Sequence, residues 1–88
     1  MMENRKIAHI DFYMGQLVVT SKNKDAQVRT VSHIFSNSNM IELQWFEGTN
    51  HCSQGIDYSL CMTPTLEQIE YSIDLNGRLM AFHDLLNF

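Results

Sequence analysis

His51 and Cys52, adjacent in the stretch GTNHCSQG at 48–55, are the two side chains of this sequence best equipped for chemistry. A thiolate is a nucleophile and a metal ligand, and an imidazole is a base and a metal ligand. Using them as a catalytic pair requires the two side chains to meet. Neighbours on an extended chain point to opposite sides, so Cys52 would have to find its base in His9, His33 or His83. A structural zinc takes about four ligands, usually in close pairs that let one loop supply two. The set here would be His51, Cys52, Cys61 and His83, and it contains no such pair. A Cys52–Cys61 disulfide is compatible with the spacing but would need an oxidising compartment. Gly, Thr, Asn, Ser and Gln surround the two residues, and the spacing predicts a hairpin loop between Gly48 and Gly55.

The remaining candidates are weaker. His9 with Asp11, and His83 with Asp84, have the makings of acid–base pairs, but no nucleophile motif or second carboxylate accompanies either. The glycine-fenced stretch lacks the lysine and the following helix of a phosphate loop. Trp45, Phe46 and Tyr58 could stack nucleobases, yet single-strand binders set such aromatics in a basic groove, and the charge around these is acidic. No catalytic residue, metal or cofactor is therefore expected, and the chain reads as a non-enzyme.

The elements that must position these residues follow from periodicity. The chain has 88 residues, 44% of them hydrophobic and 18% charged. That is one domain, residues 1–88, able to bury only about 60–65% of its unfolded surface. Six Met and nine aromatic residues (one Trp, three Tyr, five Phe) on a chain of low charge suggest exposed apolar surface, and with it a partner or a homodimer. Alternation in IAHIDFYM, β-branched residues in QLVVTS, and the alternating runs MIELQWF and GIDYSLCM predict strands. QVRTVSHIF fits either a strand or a helix, with β-branching favouring the strand. KNKD at 22–25 and SNSN at 36–39 read as turns.

From the single proline, Pro64, helix formers take over. Thr63 reads as an N-cap, Pro64 as the first helical residue, and Glu67 lies in the first turn, where the helix dipole favours it. Leu66, Ile69 and Ile73 make one apolar set and Leu75, Leu79, Phe82 and Leu86 a second, on nearly opposite sides of a continuous helix. Asn76-Gly77 is either a break between helical pieces or the turn of a competing hairpin. The expected fold is α+β: an antiparallel meander of four or five strands over about 6–62, then a helix packed on the sheet over about 64–86. The expected core is Ile10, Phe12, Val18, Val31, Ile41, Leu43, Trp45, Ile56, Tyr58, Leu60, Ile69, Ile73, Leu79, Phe82 and Leu86.

Charge separates along the chain. Residues 1–29 carry five basic and three acidic side chains, a net of +2; residues 30–88 carry Arg78 against seven acids, a net of −6. Glu67, Glu70 and Asp74 fall on one helical stripe, and Glu42 with Asp57 on the outer face of the sheet. These five are the candidate partner-binding residues. Acidity argues against direct nucleic-acid binding, which wants a basic patch. No apolar run reaches about 18 residues, so no membrane span is expected. No signal peptide is expected in MMENRKIAHIDF, which leaves a cytoplasmic protein. The reading is a small acidic module that binds another protein, in the manner of phage or mobile-element inhibitors that cover a basic, nucleic-acid-binding surface of a host enzyme. The alternative is a sheet that binds a metabolite or nucleotide through His9, Tyr13, His33 or Trp45.

Overall fold

A computed structural model describes residues 12–86. The expected first strand and the candidates His9, Ile10 and Asp11 lie wholly or largely outside that range. Four antiparallel strands follow one another in space as in sequence: β1 (Leu17–Val18), β2 (Arg29–Ile34), β3 (Met40–Glu47) and β4 (Asn50–Asp57). They are followed by the 3-10 turn Tyr58–Leu60 and two helices, α1 (Leu66–Asn76) and α2 (Phe82–Leu86). This is the α+β meander with a C-terminal helical segment that the periodicity predicts.

β3 is the central plank. Ile41, Leu43 and Trp45 alternate onto one face and are buried there with Val18 and Val31. Phe12, Ile34, Cys52, Ile56, Tyr58 and Cys61 close around them. A second, smaller apolar set, Val19, Val28, Phe46 and Met80, is buried outside this cluster. Met80 belongs to the α1–α2 connection, and buried Thr30 donates its hydroxyl to the Met80 carbonyl at 3.2 Å. Trp45 and Phe46, neighbours on opposite faces of β3, are each covered by an arginine. Arg29 lies over the Trp45 ring at 3.9 Å and Arg78 over the Phe46 ring at 4.2 Å. Cation–π stacking of this kind leaves the guanidinium free to bond in its own plane.

The sheet curls towards closure. After β4, Asp57 caps the 3-10 turn by accepting the Ser59 N–H at 2.9 Å. The chain then crosses to the opposite edge, where Val19 and Met62 exchange both backbone hydrogen bonds, at 2.9 and 2.8 Å. A bulge between Val31 and His33 adds twist to β2. Ser32 spends its hydroxyl there on the Glu42 carbonyl and carboxylate, at 3.2 and 2.7 Å.

Several boundaries differ from the sequence expectation, each for a local reason. The stretch 48–55 is not a loop. The turn is confined to Gly48 and Thr49, with Gly48 at φ 69, and β4 starts at Asn50. Residues 58–62 do not continue a strand, because Asp57 opens the 3-10 turn and the Tyr58 N–H is drawn to the Asn39 carbonyl at 2.8 Å. The helix starts two residues later than predicted. Thr65, not Thr63, is the N-cap, fixed by a reciprocal capping box with Gln68. Asn76-Gly77, expected as either a helix break or a hairpin turn, is the break: it ends α1. Gly77 adopts φ 78 and returns its N–H to Ile73, a left-handed cap that suits glycine.

The core expectation is met for Val18, Val31, Ile41, Leu43 and Trp45, and in part for Phe12, Ile56 and Tyr58. It fails for Leu60, Ile73, Phe82 and Leu86, all of them exposed.

Candidate functional site

α1 presents its polar side to the protein and much of its apolar side to solvent. Gln68 is 2% exposed and Ser72 1%, and both belong to the stripe Gln68, Ser72, Asn76, spaced four residues apart. The reason is what lies beneath. β1 ends, β2 begins, β3 ends and β4 begins at one end of the curled sheet, and α1 crosses that end over the connecting loops. Loops offer backbone groups that no strand neighbour satisfies, and a buried polar group must be paired. Gln68 Nε2 donates to the carbonyls of Ser21 and Asn23 at 3.1 and 2.8 Å. Ser72 Oγ accepts the Val28 N–H at 2.8 Å. Asn76 Oδ1 accepts the Gly48 N–H at 2.8 Å, and its amide donates to Gln27 at 3.4 Å.

Opposite that stripe lies the candidate docking face. At 100° per residue, Ile73, Leu66, Glu70, Asp74 and Glu67 fall within an arc of about 120° centred across the helix from Ser72. All five are exposed; Leu66 stands at 69% and Ile73 at 40%. The ion pairs among the described residues, Arg78–Asp84 and His83–Asp84, involve none of the three acids.

The two sheet candidates are differently placed. Glu42 is half-buried in a hydrogen-bonded row on the second face of the sheet. Its Oε1 accepts from Ser32 and from Gln44 Nε2 at 3.3 Å, and Gln44 Oε1 in turn faces His51 Nε2 at 2.9 Å. Asp57 serves as the cap of the 3-10 turn. It sits at the far end of β4 from the Gly48 turn that α1 touches, about 23 Å away at 3.3 Å per strand residue. The structure therefore joins Glu67, Glu70 and Asp74 into one surface and leaves Glu42 and Asp57 outside it.

His51 and Cys52 point to opposite sides of β4, as neighbours on a strand must. His51 pairs with Phe46, its ring 6.3 Å away, and Cys52 pairs with Trp45 and packs on the core. Burial pushes the Cys52 thiol up, and the carboxylate of Glu47 pushes it further. Burial raises Cys61 as well, with Arg29 opposing. Both thiols are free and neither is activated as a nucleophile. Among the described residues no three His, Cys, Asp or Glu side chains converge to hold a metal ion. At the C-terminal pair, Asp84 Oδ2 accepts the Ala81 N–H at 2.9 Å and the carboxylate holds Arg78 Nη1 at 3.2 and 3.3 Å, with His83 Nε2 at 3.5 Å. These contacts make it a clasp for the α1–α2 connection.

Of the residues expected to line a metabolite site, His9 lies outside the described residues, and Tyr13, His33 and Trp45 do not gather. Trp45 lies on the core side under Arg29, whereas His33 pairs with Glu42 on the other face. Tyr13 is exposed beside the turn at Met14 and Gly15. A shallow depression does lie at His33, Phe35 and the 36–38 turn, with the two rings 4.5 Å apart, but only the end of β2 and that turn line it.

Periodicity missed the buried polar stripe of α1, because Gln and Ser carry no burial signal of their own. A capping box is legible in T-x-x-Q at 65–68, and it fixes the helix start and so the phase of the stripe. No helix among the described residues is long and apolar enough to cross a membrane. No protein family, no curated protein and no solved structure matches the chain.

Proposed function

We propose that the protein is a non-catalytic inhibitor that acts in the cytoplasm by occupying a basic surface of a partner protein, of the kind that otherwise holds nucleic acid. The observation that carries the reading is the outward face of α1, where Glu67, Glu70 and Asp74 share one exposed stripe and take part in no ion pair among the described residues. Three carboxylates at i, i+3 and i+7 repel one another and weaken an isolated helix by a few tenths of a kcal/mol. A basic partner turns that repulsion into attraction. The net −6 of residues 30–88 extends the field beyond the stripe and steers encounter. A phage or mobile-element origin and a host-defence target are consistent with this chemistry.

The test is the salt dependence of association with the protein recovered on immobilised wild-type chain from host lysate. The association rate is expected to fall clearly between about 50 and 500 mM salt, with dissociation changing less. Reversing Glu67, Glu70 and Asp74 to lysine is expected to abolish capture while leaving the melting curve in place, since exposed charges contribute little to stability. Capture that survives the triple reversal refutes the reading.

A further inference from the structure

The outward face of α1 is apolar as well as acidic, and that narrows the chemistry of what binds it. Leu66 and Ile73 are seven residues apart, within about 20° of each other around the helix. Half-buried Ile69 continues their line towards the body of the protein, so the three form a ridge of the i, i+3, i+7 kind that meshes with the side chains of a second helix. Glu70, Asp74 and Glu67 run along one side of this ridge. The helix buries Gln68 and Ser72 and leaves Leu66 in water, the reverse of what solvation alone would select.

Resting on the acidic-face reading above, we infer that α1 packs against a basic amphipathic helix of the partner, with Leu66 and Ile73 as apolar anchors and the three carboxylates facing a row of Lys or Arg. Charge selects this occupant. A second copy packed α1 on α1 would bring its own acidic stripe against this one. An anionic surface, nucleic acid or lipid, would be repelled in the same way. A neutral apolar surface would leave three carboxylates facing unpaired groups. Eleven residues give α1 a length of about 16 Å, so roughly three turns of the partner helix suffice to cover it. The mode is recognition by an apolar helix face, with the acids setting orientation and partner choice.

The experiment titrates two synthetic peptides into the full chain, followed by backbone amide shifts. One is LKKLLKLLKKLLKL; the other has the same lysines with serine for every leucine. The leucine peptide is expected to bind at least tenfold more tightly than the serine peptide and to shift the amides of residues 66–76. Leu66→Ser with Ile73→Ser should bring the leucine peptide down to the affinity of the serine peptide. Glu67→Gln, Glu70→Gln and Asp74→Asn together should weaken both peptides. Since all five side chains are exposed, each variant is checked for an unchanged melting curve. If the two peptides bind equally, with shifts on α1, the acidic face stands and the helix-packing inference falls. If neither peptide binds, both readings fall. Shifts confined to another surface overturn the inference in favour of another site. Self-association of the wild type that Leu66→Ser with Ile73→Ser abolishes overturns it in favour of a second copy.

Discussion

Ser72 Oγ accepts the backbone N–H of Val28 at 2.8 Å, joining two buried residues 44 positions apart. With Gln68 and Asn76, this hydroxyl fixes the phase of α1 over the connecting loops, and the phase decides which residues the helix shows to solvent.

Removing that hydroxyl should cost more than a hydrogen bond. Ser72→Ala leaves the Val28 N–H buried without its acceptor, a loss of about 1–3 kcal/mol. For a domain of this size each kcal/mol lowers the melting temperature by about 4–8 °C. Calorimetry or a fluorescence melt of the variant checks it, and a shift under about 2 °C, below that range, would show that the N–H finds water instead.

The end of α1 makes a second test. Gly77 stands at φ 78, and a Cβ placed there would meet no atom within 4 Å, so space is not the constraint and backbone conformation is. Gly77→Ala should destabilise by about 1 kcal/mol, the cost of the left-handed region for a residue with a Cβ. Gly77→Asn, which tolerates that region better, should recover part of the loss in urea unfolding.

Asp84 predicts a pH dependence. The Ala81 N–H it accepts, with the charges of Arg78 and His83 beside it, holds its carboxyl below the ordinary value of 3.8, against an opposing effect of burial. A carboxyl depressed in the folded state stabilises the fold in full above its unfolded value, and that contribution is lost as the pH falls through the folded one. Between about pH 5 and pH 2 the wild type should therefore lose stability more steeply than Asp84→Asn. Parallel melting curves across that window would contradict the clasp.

The thiols supply a chemical check. Cys52 and Cys61 are both raised above the usual 9.0. Alkylation by iodoacetamide at about pH 7 should be slower than that of free cysteine, and it should climb as the pH passes about 9, because the thiolate is the reactive form. Rapid labelling of Cys52 at neutral pH would restore it as a candidate nucleophile.

The sequence by itself determined the centre of this protein. In MIELQWF the apolar residues alternate, a strand has a period of two, and Ile41, Leu43 and Trp45 are the core. Helix formers after Pro64 made a helix legible, although its cap lies at Thr65 rather than Thr63. What only the tertiary structure decided is how these elements face one another. β4 carries polar side chains and a glycine, and it is a strand because a two-residue turn at Gly48 and Thr49 lays it in register along β3. Phe46 falls on the polar phase of its strand and is buried where Arg78, more than 30 residues away in the chain, lies over its ring. Leu66 and Ile73 have core periodicity, yet α1 meets loop backbone rather than a sheet face. Unpaired N–H and C=O groups select Gln68, Ser72 and Asn76 for the inside, and the apolar ridge with its three acids is left on the surface.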